Sequence, residues 1–346
     1  MYLCKITKSL SLIFDMKENS TPIDVVIAWV DGSDPELHKK RMNYLNSKEK
    51  QLIPGAKPTR FHSLNEISYC VISILKFAPF IRKIFIVTDK QNPNIDNVVK
   101  QYFPERVSDI QIVDHSEIFD GYEDYLPTFN SICISNMLWR IKGLSNQFVY
   151  FNDDIFLVRH LKPSVWFQNN RPVLRGKWML PPYERLIWDG LKSFFQSTML
   201  GKQTERVSSF QVNQWNAALL HGFKFRYFLS SHTPLALDKR RLKDYFTSHP
   251  EILKENLKYR FRNYSQFNTV ALANHLEYIN GNINFLSSQA IYAQPNNRKC
   301  NYLDRKFKQS ESEDILFLCI QSLELASKAD QEKVFKNLNR ILEVQI

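Results

Sequence analysis

Asn152-Asp153-Asp154 closes the short apolar run of residues 147–151. Two adjacent carboxylates straight after a buried strand are costly unless a cation or hydrogen bonds compensate them. Three earlier apolar runs also end on an acid: residues 23–30 at Asp31, 83–88 at Asp89 and 110–113 at Asp114. Acidic oxygens gathered in one place suit a hard divalent cation, Mg²⁺ or Mn²⁺, held jointly with substrate phosphates. Asp31 leads the tetrapeptide Asp31-Gly32-Ser33-Asp34, in which Gly32 lets the backbone turn tightly towards a ligand. Asp34 stands before Pro35 and reads equally well as a helix N-cap, so Asp31 is the better candidate for contact with substrate or metal. Asp89 and Asp114 read either as ligands or as caps of the next helices along the chain. His232 lies in a polar turn, residues 230–234, after the strand-like run 225–229, where an imidazole could transfer a proton near neutral pH. His115 reads as a solvated loop histidine. Arg260-Phe261-Arg262 offers two guanidinium forks matched to phosphate oxygens, against the plain alternative of solvated surface arginines.

The stretches between the four runs carry helical periodicity. Strands alternating with helices imply βαβ units and an α/β fold with a mainly parallel, Rossmann-like sheet and helices on both faces. Ligands bind outside the carboxyl ends of such strands, where the acids stand. Asp34-Pro35 opens a polar helical stretch, residues 36–51. Ser63-Leu64-Asn65-Glu66 has the form of a capping box before a helix with Ile67, Val71, Ile74 and Leu75 on one face, ended by Pro79. A third helix is expected over residues 131–141, with Ile134, Met137, Leu138 and Ile141 inward. Beyond Leu161 the chain becomes aromatic-rich and irregular, as expected of a region that covers the sheet and shapes a cleft. Residues 314–326 and 331–344 both read as helical and predict a C-terminal hairpin over residues 311–346, packed on the main domain by default and with a membrane-surface helix as the lesser alternative.

With 346 residues, few glycines and no internal repeat, the chain is neither fibrous nor low-complexity, and a sizeable core is within reach. A formal charge of +11 suggests an anionic partner without choosing among nucleotide, lipid, nucleic acid and polyanionic polymer. Five scattered cysteines form no zinc-like spacing and read as reduced thiols. The apolar stretch of residues 10–14 is far shorter than the roughly 20 residues of a membrane span, and Asp15 and Lys17 come directly after it. Residues 1–20 are expected to be disordered or an overlong start, with Met16 as an alternative initiator. The protein is expected to be cytoplasmic, with peripheral contact at the inner face of the cell membrane left open.

The ordered segments together resemble the Stealth family, which includes bacterial capsular and exopolysaccharide phosphotransferases and the animal N-acetylglucosamine-1-phosphotransferase. A first block runs from Ile23 through Trp29-Val30-Asp31-Gly32-Ser33-Asp34-Pro35. A long second block begins at Arg60 and takes in Asn65-Glu66, Tyr69, Ala78-Pro79-Phe80-Ile81-Arg82, Thr88-Asp89, Asp114-His115, Leu126-Pro127-Thr128-Phe129-Asn130-Ser131 and Tyr150-Phe151-Asn152-Asp153-Asp154. Shorter matches surround His232-Thr233-Pro234 and Tyr259-Arg260-Phe261-Arg262. Ile72 departs from the pattern, which often has an arginine there, and is expected to pack instead. The resemblance implies a catalytic domain over residues 21–310, with a nucleotide-binding half at 21–160 and an acceptor- and phosphate-binding half at 161–310. It implies transfer of a sugar 1-phosphate from a nucleotide diphosphate sugar, UDP-hexose or UDP-N-acetylhexosamine, to a sugar hydroxyl on an oligosaccharide or lipid-linked polysaccharide. The roles it implies are Asp153 and Asp154 for metal or acceptor activation, Asp31 for metal or donor, and His232 for proton transfer. Arg60, Arg262, Asn152 and Gly32 would bind donor and phosphate, with Mg²⁺ or Mn²⁺ as cofactor. A metal-dependent glycosyltransferase releasing a nucleoside diphosphate is the nearest rival. A basic nucleic-acid-binding module or metal nuclease fits less well, because acidic strand ends repel phosphate, and a scaffold gives no reason for those acids.

Overall fold

The computed structural model describes residues 21–45, 64–200, 209–297 and 300–346. The four apolar runs form β1 (Ile23–Ala28), β2 (Ile84–Thr88), β3 (Ile110–Asp114) and β4 (Gln147–Asn152). The remaining strands are β5 (Ile155–Leu157), β6 (Phe167–Gln168), β7 (Arg171–Pro172), β8 (Leu174–Met179), β9 (Tyr227–Ser230), β10 (Leu235–Asp238), β11 (Phe285–Leu286), β12 (Ala290–Ala293) and β13 (Phe317–Ile320). The principal helices are α1 (Pro35–Asn43), α2 (Glu66–Phe77), α3 (Asp96–Tyr102), α4 (Ser131–Met137), α5 (Tyr183–Leu200), α6 (Phe210–Leu219), α7 (Lys239–Ser248), α8 (Pro250–Leu257), α9 (Thr269–Ile279), α10 (Tyr302–Ser310) and α11 (Lys328–Leu342).

The main sheet has the order β10-β4-β1-β2-β3. Its first four strands in sequence are mutually parallel, and β10 closes the edge antiparallel to β4. The chain therefore winds outward from β1 to β3 and then crosses back to place β4 on the other side of β1. That reversal puts a topological switch point between β1 and β4, where an open α/β sheet leaves a crevice at its carboxyl edge.

Alternate side chains of a strand face opposite sides, and the core divides accordingly. Val25, Ile27, Ile84, Ile86, Val149 and Phe151 pack on one side with α2 and α11. Val26, Phe85, Val87, Phe148 and Leu237 pack on the other with α4, α7, α8 and α9. At the amino edge the buried Asp24 carboxylate takes a two-pronged ion pair from Arg82, at 2.9 and 2.6 Å, and the Ser145 amide at 2.7 Å. A buried charge with those partners ties β1 to its two neighbouring loops, at the end remote from the crevice.

Several expectations change. Residues 314–326 form no α-helix: Phe317–Ile320 form β13, paired with β12 and, antiparallel, with β5, and only Leu323–Leu325 make a 3₁₀ turn. A four-residue apolar run cannot be assigned by periodicity, and pairing with β5 decided it. The expected C-terminal hairpin thus reduces to α11. That helix is no appendage, because Val334, Leu338 and Leu342 are buried in the same core as α2, which also removes its apolar stripe from any membrane. The polar helix expected at residues 36–51 is α1, ending at Asn43, and residues 46–51 lie outside the described residues. Ser63 also lies outside them. α2 starts at Glu66 after Asn65, whose φ of 72° is left-handed, and without a side-chain cap bond, so Glu66 is the first helical residue rather than the third of a capping box. The helix expected over 131–141 is α4 continued by a 3₁₀ turn, Leu138–Arg140. Ile72 is fully buried. Among the described residues, no helix is long and apolar enough to cross a membrane.

Candidate active site at the carboxyl edge of the sheet

Parallel register sets Ala28 of β1 beside Asn152 of β4, so the segments that carry Asp31 and Asp153-Asp154 leave the sheet side by side. The Asp153-Asp154 turn is fixed by β5, which returns at once into the second sheet. There the Ile320 amide of β13 donates to the Asp154 carbonyl at 2.9 Å. The Cys319 thiol lies 3.9 Å from Asp154 Oδ2, while Oδ1 of the same carboxylate is buried with no hydrogen-bond partner. Such an orphaned oxygen is costly in a neutral interior and fits a site built for a cation.

Electrostatics gathers three acids here. Burial, then the charges of Asp154 and Glu66, push the Asp153 carboxyl well above the usual carboxylate range. Burial, and next the Glu66 charge, push Asp154 up to about 7. Glu66 at the start of α2 is therefore part of the cluster. Sequence reading gave it a capping role, and the signal that could have found it is its place, with Asn65, among the matched residues of the long second block. Two further neighbours were missed. Tyr150, next but one to Asn152 on β4, is pushed up to about 12 by burial, against the opposing charge of Arg262. Tyr292 on β12 is raised by burial, with Cys319 and Asp154 adding to the shift.

Tyr292 joins the acids to the predicted histidine. Its ring centre is 5.2 Å from that of His232, which stacks on Phe210 at 4.6 Å. Burial holds the His232 pKa below its ordinary value, so the imidazole is neutral at pH 7. Arg262, within electrostatic reach of Tyr150, donates from Nη2 to Ser131 Oγ at 2.5 Å. Asp153, Asp154, His232 and Arg262 are thus brought into one neighbourhood from separate segments of the chain.

Asp31 stands apart. Its Oδ1 accepts from the Ser33 amide at 2.9 Å and the Ser33 hydroxyl at 2.6 Å, folding Gly32 into a tight turn. It lines a cavity of about 390 Å³ with Trp29, Ser33, Asn65, Ser68 and Asn97. The cavity and the acid cluster meet at the first turn of α2, where Asn65 faces one and Glu66 the other. Among the described residues no group of three His, Cys, Asp or Glu side chains is placed to hold a metal by itself, so the expected triad of Asp31, Asp153 and Asp154 is not assembled. Asp153 and Asp154 alone still fit Mg²⁺ or Mn²⁺, since such ions are commonly held by one or two carboxylates together with water and substrate phosphates.

Other expectations resolve as structure. Asp34 caps α1 through the Glu36 amide and takes Gln91 Nε2 at 2.8 Å. Asp114 forms a complete capping box with Glu117, and Asp89 pairs with Lys40 at 3.0 Å. His115 is buried rather than solvated, and burial lowers its pKa to about 4. Arg260 spends its guanidinium on the Pro127 and Asp124 carbonyls and lies over the Tyr44 ring. Asn152 is exposed at the end of β4. Arg60 lies outside the described residues.

The family model described as Stealth protein CR1, conserved region 1, matches residues 21–49, and that described as Stealth protein CR2, conserved region 2, matches residues 60–174. A capsular polysaccharide phosphotransferase of Actinobacillus pleuropneumoniae is 42% identical over 151 residues, covering 43% of this chain and 39% of that protein. The chain therefore spans about two-fifths of the length of that relative. A capsular polysaccharide phosphotransferase of Aeromonas hydrophila is 32% identical over 71% of this chain and 63% of its own length. An exopolysaccharide phosphotransferase of Lactiplantibacillus plantarum is 28% identical over 76% and 77%. A solved galactosyltransferase, LgtC, aligns over 92% of this chain and 95% of its own at 10% identity with a TM-score of 0.43, too remote a likeness to bear on the chemistry. Two conserved regions matched in order, with relatives that extend the match well past them, leave one conclusion: this chain belongs to the Stealth family.

Proposed function

We propose that this protein transfers a sugar 1-phosphate from a nucleotide diphosphate sugar, a UDP-hexose or UDP-N-acetylhexosamine, to a hydroxyl of an oligosaccharide or lipid-linked polysaccharide, building the phosphodiester links of a bacterial capsular or cell-surface polymer. The observation that carries the reading is the Asp153-Asp154-Glu66 cluster, with its unpaired buried oxygen, beside Arg262 at the switch point of the sheet. The names of the relatives support the same chemistry. In the reaction, the acceptor oxygen attacks the phosphorus nearer the sugar, the bond from that phosphorus to the bridging oxygen breaks, and the nucleoside monophosphate departs.

A bound Mg²⁺ or Mn²⁺ would neutralise the phosphate oxygens and the leaving group. Asp153 and Asp154 would hold it. Asp154, poised near pH 7, can instead take the acceptor proton, and the neutral His232 is the second candidate for that transfer. Arg262 presents a fixed charge, steered by Ser131, to the equatorial oxygens on which charge grows. The Asp31 cavity, at the end of β1, would take the nucleoside end of the donor.

The deciding experiment offers UDP-sugars with an acceptor and Mg²⁺ or Mn²⁺ and identifies the nucleotide that appears. UMP is expected; UDP would replace this reading with conventional glycosyl transfer. In the same assay His232→Ala is expected to lower kcat by about 10²- to 10⁴-fold, the usual worth of a positioned proton-transfer group. A folded His232→Ala protein with full turnover would remove that role.

A further inference from the structure

Among the described residues, a group of strongly exposed apolar side chains lies on α5 and at the adjoining ends of β8 and β9. Leu180 and Phe225 are 78% and 82% exposed, and Ile187, Trp188, Leu191 and Phe195 of α5 are each more than half exposed. Spacings of four from Ile187 to Leu191 to Phe195 set these three along one stripe of the helix. β8 and β9 carry the other two to the same end, because Met179 pairs with Tyr227, one residue before Leu180 and two after Phe225. The Tyr183 hydroxyl, in the first turn of α5, donates to the Lys224 carbonyl at 3.4 Å and holds the helix start against the Phe225 loop. That bond joins the two exposed apolar segments, and apolar surface gathered in this way marks interaction sites.

Its rim decides the partner. Lys224 and Arg226 flank Phe225 and Lys177 stands on β8 three residues before Leu180, all three exposed, with Glu184 exposed in the first turn of α5. Arg226 also lies over the Trp178 ring at 4.5 Å. A second copy docking on this face by two-fold symmetry would bring one basic rim against another, on a chain already at +11. An anionic bilayer complements both the apolar stripe and the rim, and an 18-residue helix with Trp, Phe, Leu and Ile on its outer side suits the plane of the interface. We propose that α5 and the Phe225 loop form a docking face for anionic lipid, with the apolar stripe lying in the headgroup boundary. This assignment stands apart from the reaction chemistry, since none of these residues belongs to the acid cluster or its neighbours.

The test is sedimentation of the full chain with phosphatidylcholine vesicles, with and without phosphatidylglycerol. Binding is expected with the anionic vesicles and weak with the neutral ones. The double variant Ile187→Glu with Leu191→Glu is expected to lower the partition constant by about tenfold or more at unchanged turnover on a water-soluble acceptor. Lys177→Glu with Lys224→Glu should weaken binding at low salt and flatten its salt dependence. Undiminished binding of the Ile187/Leu191 double variant overturns the proposal. So does a wild-type chain that ignores anionic vesicles, or one that instead forms a dimer which the same double variant dissolves.

Discussion

Asp154→Asn is expected to lower turnover by about 10²- to 10⁴-fold while making the metal-free protein more stable at pH 8. The two effects have one cause. The carboxylate sits in a half-buried turn beside Asp153 and Glu66, with its Oδ1 unpartnered. Its ionised form is therefore disfavoured in the fold, and an amide of the same shape removes that cost along with the ability to bind a cation or accept a proton. A pKa of about 7 against an ordinary 3.8 sets a ceiling of about 4 kcal/mol on the gain, which solvent screening of a half-buried group will reduce. At pH 4 the gain should vanish, because the native carboxyl is then protonated. Nucleotide release and thermal melts at the two pH values check the pair of effects. Turnover retained within twofold would take Asp154 out of the site.

In the metal-free protein the Asp153-Asp154 pair is expected to cost stability as pH rises from about 4 to about 7. The cost is read as wild type against Asp154→Asn, because the buried His115, held down at about 4, works the other way in both proteins. Proton binding sets the sign. Asp153 and Asp154 are both raised in the folded state, so across that window the unfolded chain gives up protons that the folded chain keeps, and the balance moves towards unfolding. A divalent cation that binds only the folded, ionised pair should reverse this. At a concentration of 100 times its dissociation constant it would add about 2.7 kcal/mol at pH 8 and little at pH 5, where protons compete for the same oxygens. Melting temperatures with Mg²⁺, Mn²⁺ or chelator across pH 4 to 8 provide the measurement. A melting temperature at pH 8 that neither cation moves would separate these acids from any metal.

The legible parts of the site and the illegible ones differ by the range of the forces involved. Asp153 and Asp154 could be picked out because a strand ending in two acids is a local pattern, and β4 formed with nearly the expected bounds. Asp34 and Asp114 looked like possible ligands only while their helices were unformed; once the first turns exist, backbone amides claim those carboxylates. Glu66 went the other way. A short capping motif made it look committed to its own helix, and its Oε2 does accept from the Leu64 amide, yet its charge also acts on acids 87 and 88 positions away. His115 looked solvated because a loop after a strand usually is, and its burial comes from tertiary packing, which also brings the charges of Asp89 and Lys40 within reach of it.

Four β-branched and aromatic runs, the helices between them and the acid at each strand end were determined by residues close along the chain, through periodicity and hydrogen-bond capacity. Those features were enough for an α/β sheet with chemistry at its carboxyl edge. Only the tertiary structure decided that β4 returns beside β1, that Phe317–Ile320 enters a second sheet and braces the Asp154 turn, and that Asp31 keeps to its own cavity. Strand order, pairing partner and pKa depend on contacts between residues tens to hundreds of positions apart, and no short window of sequence contains them.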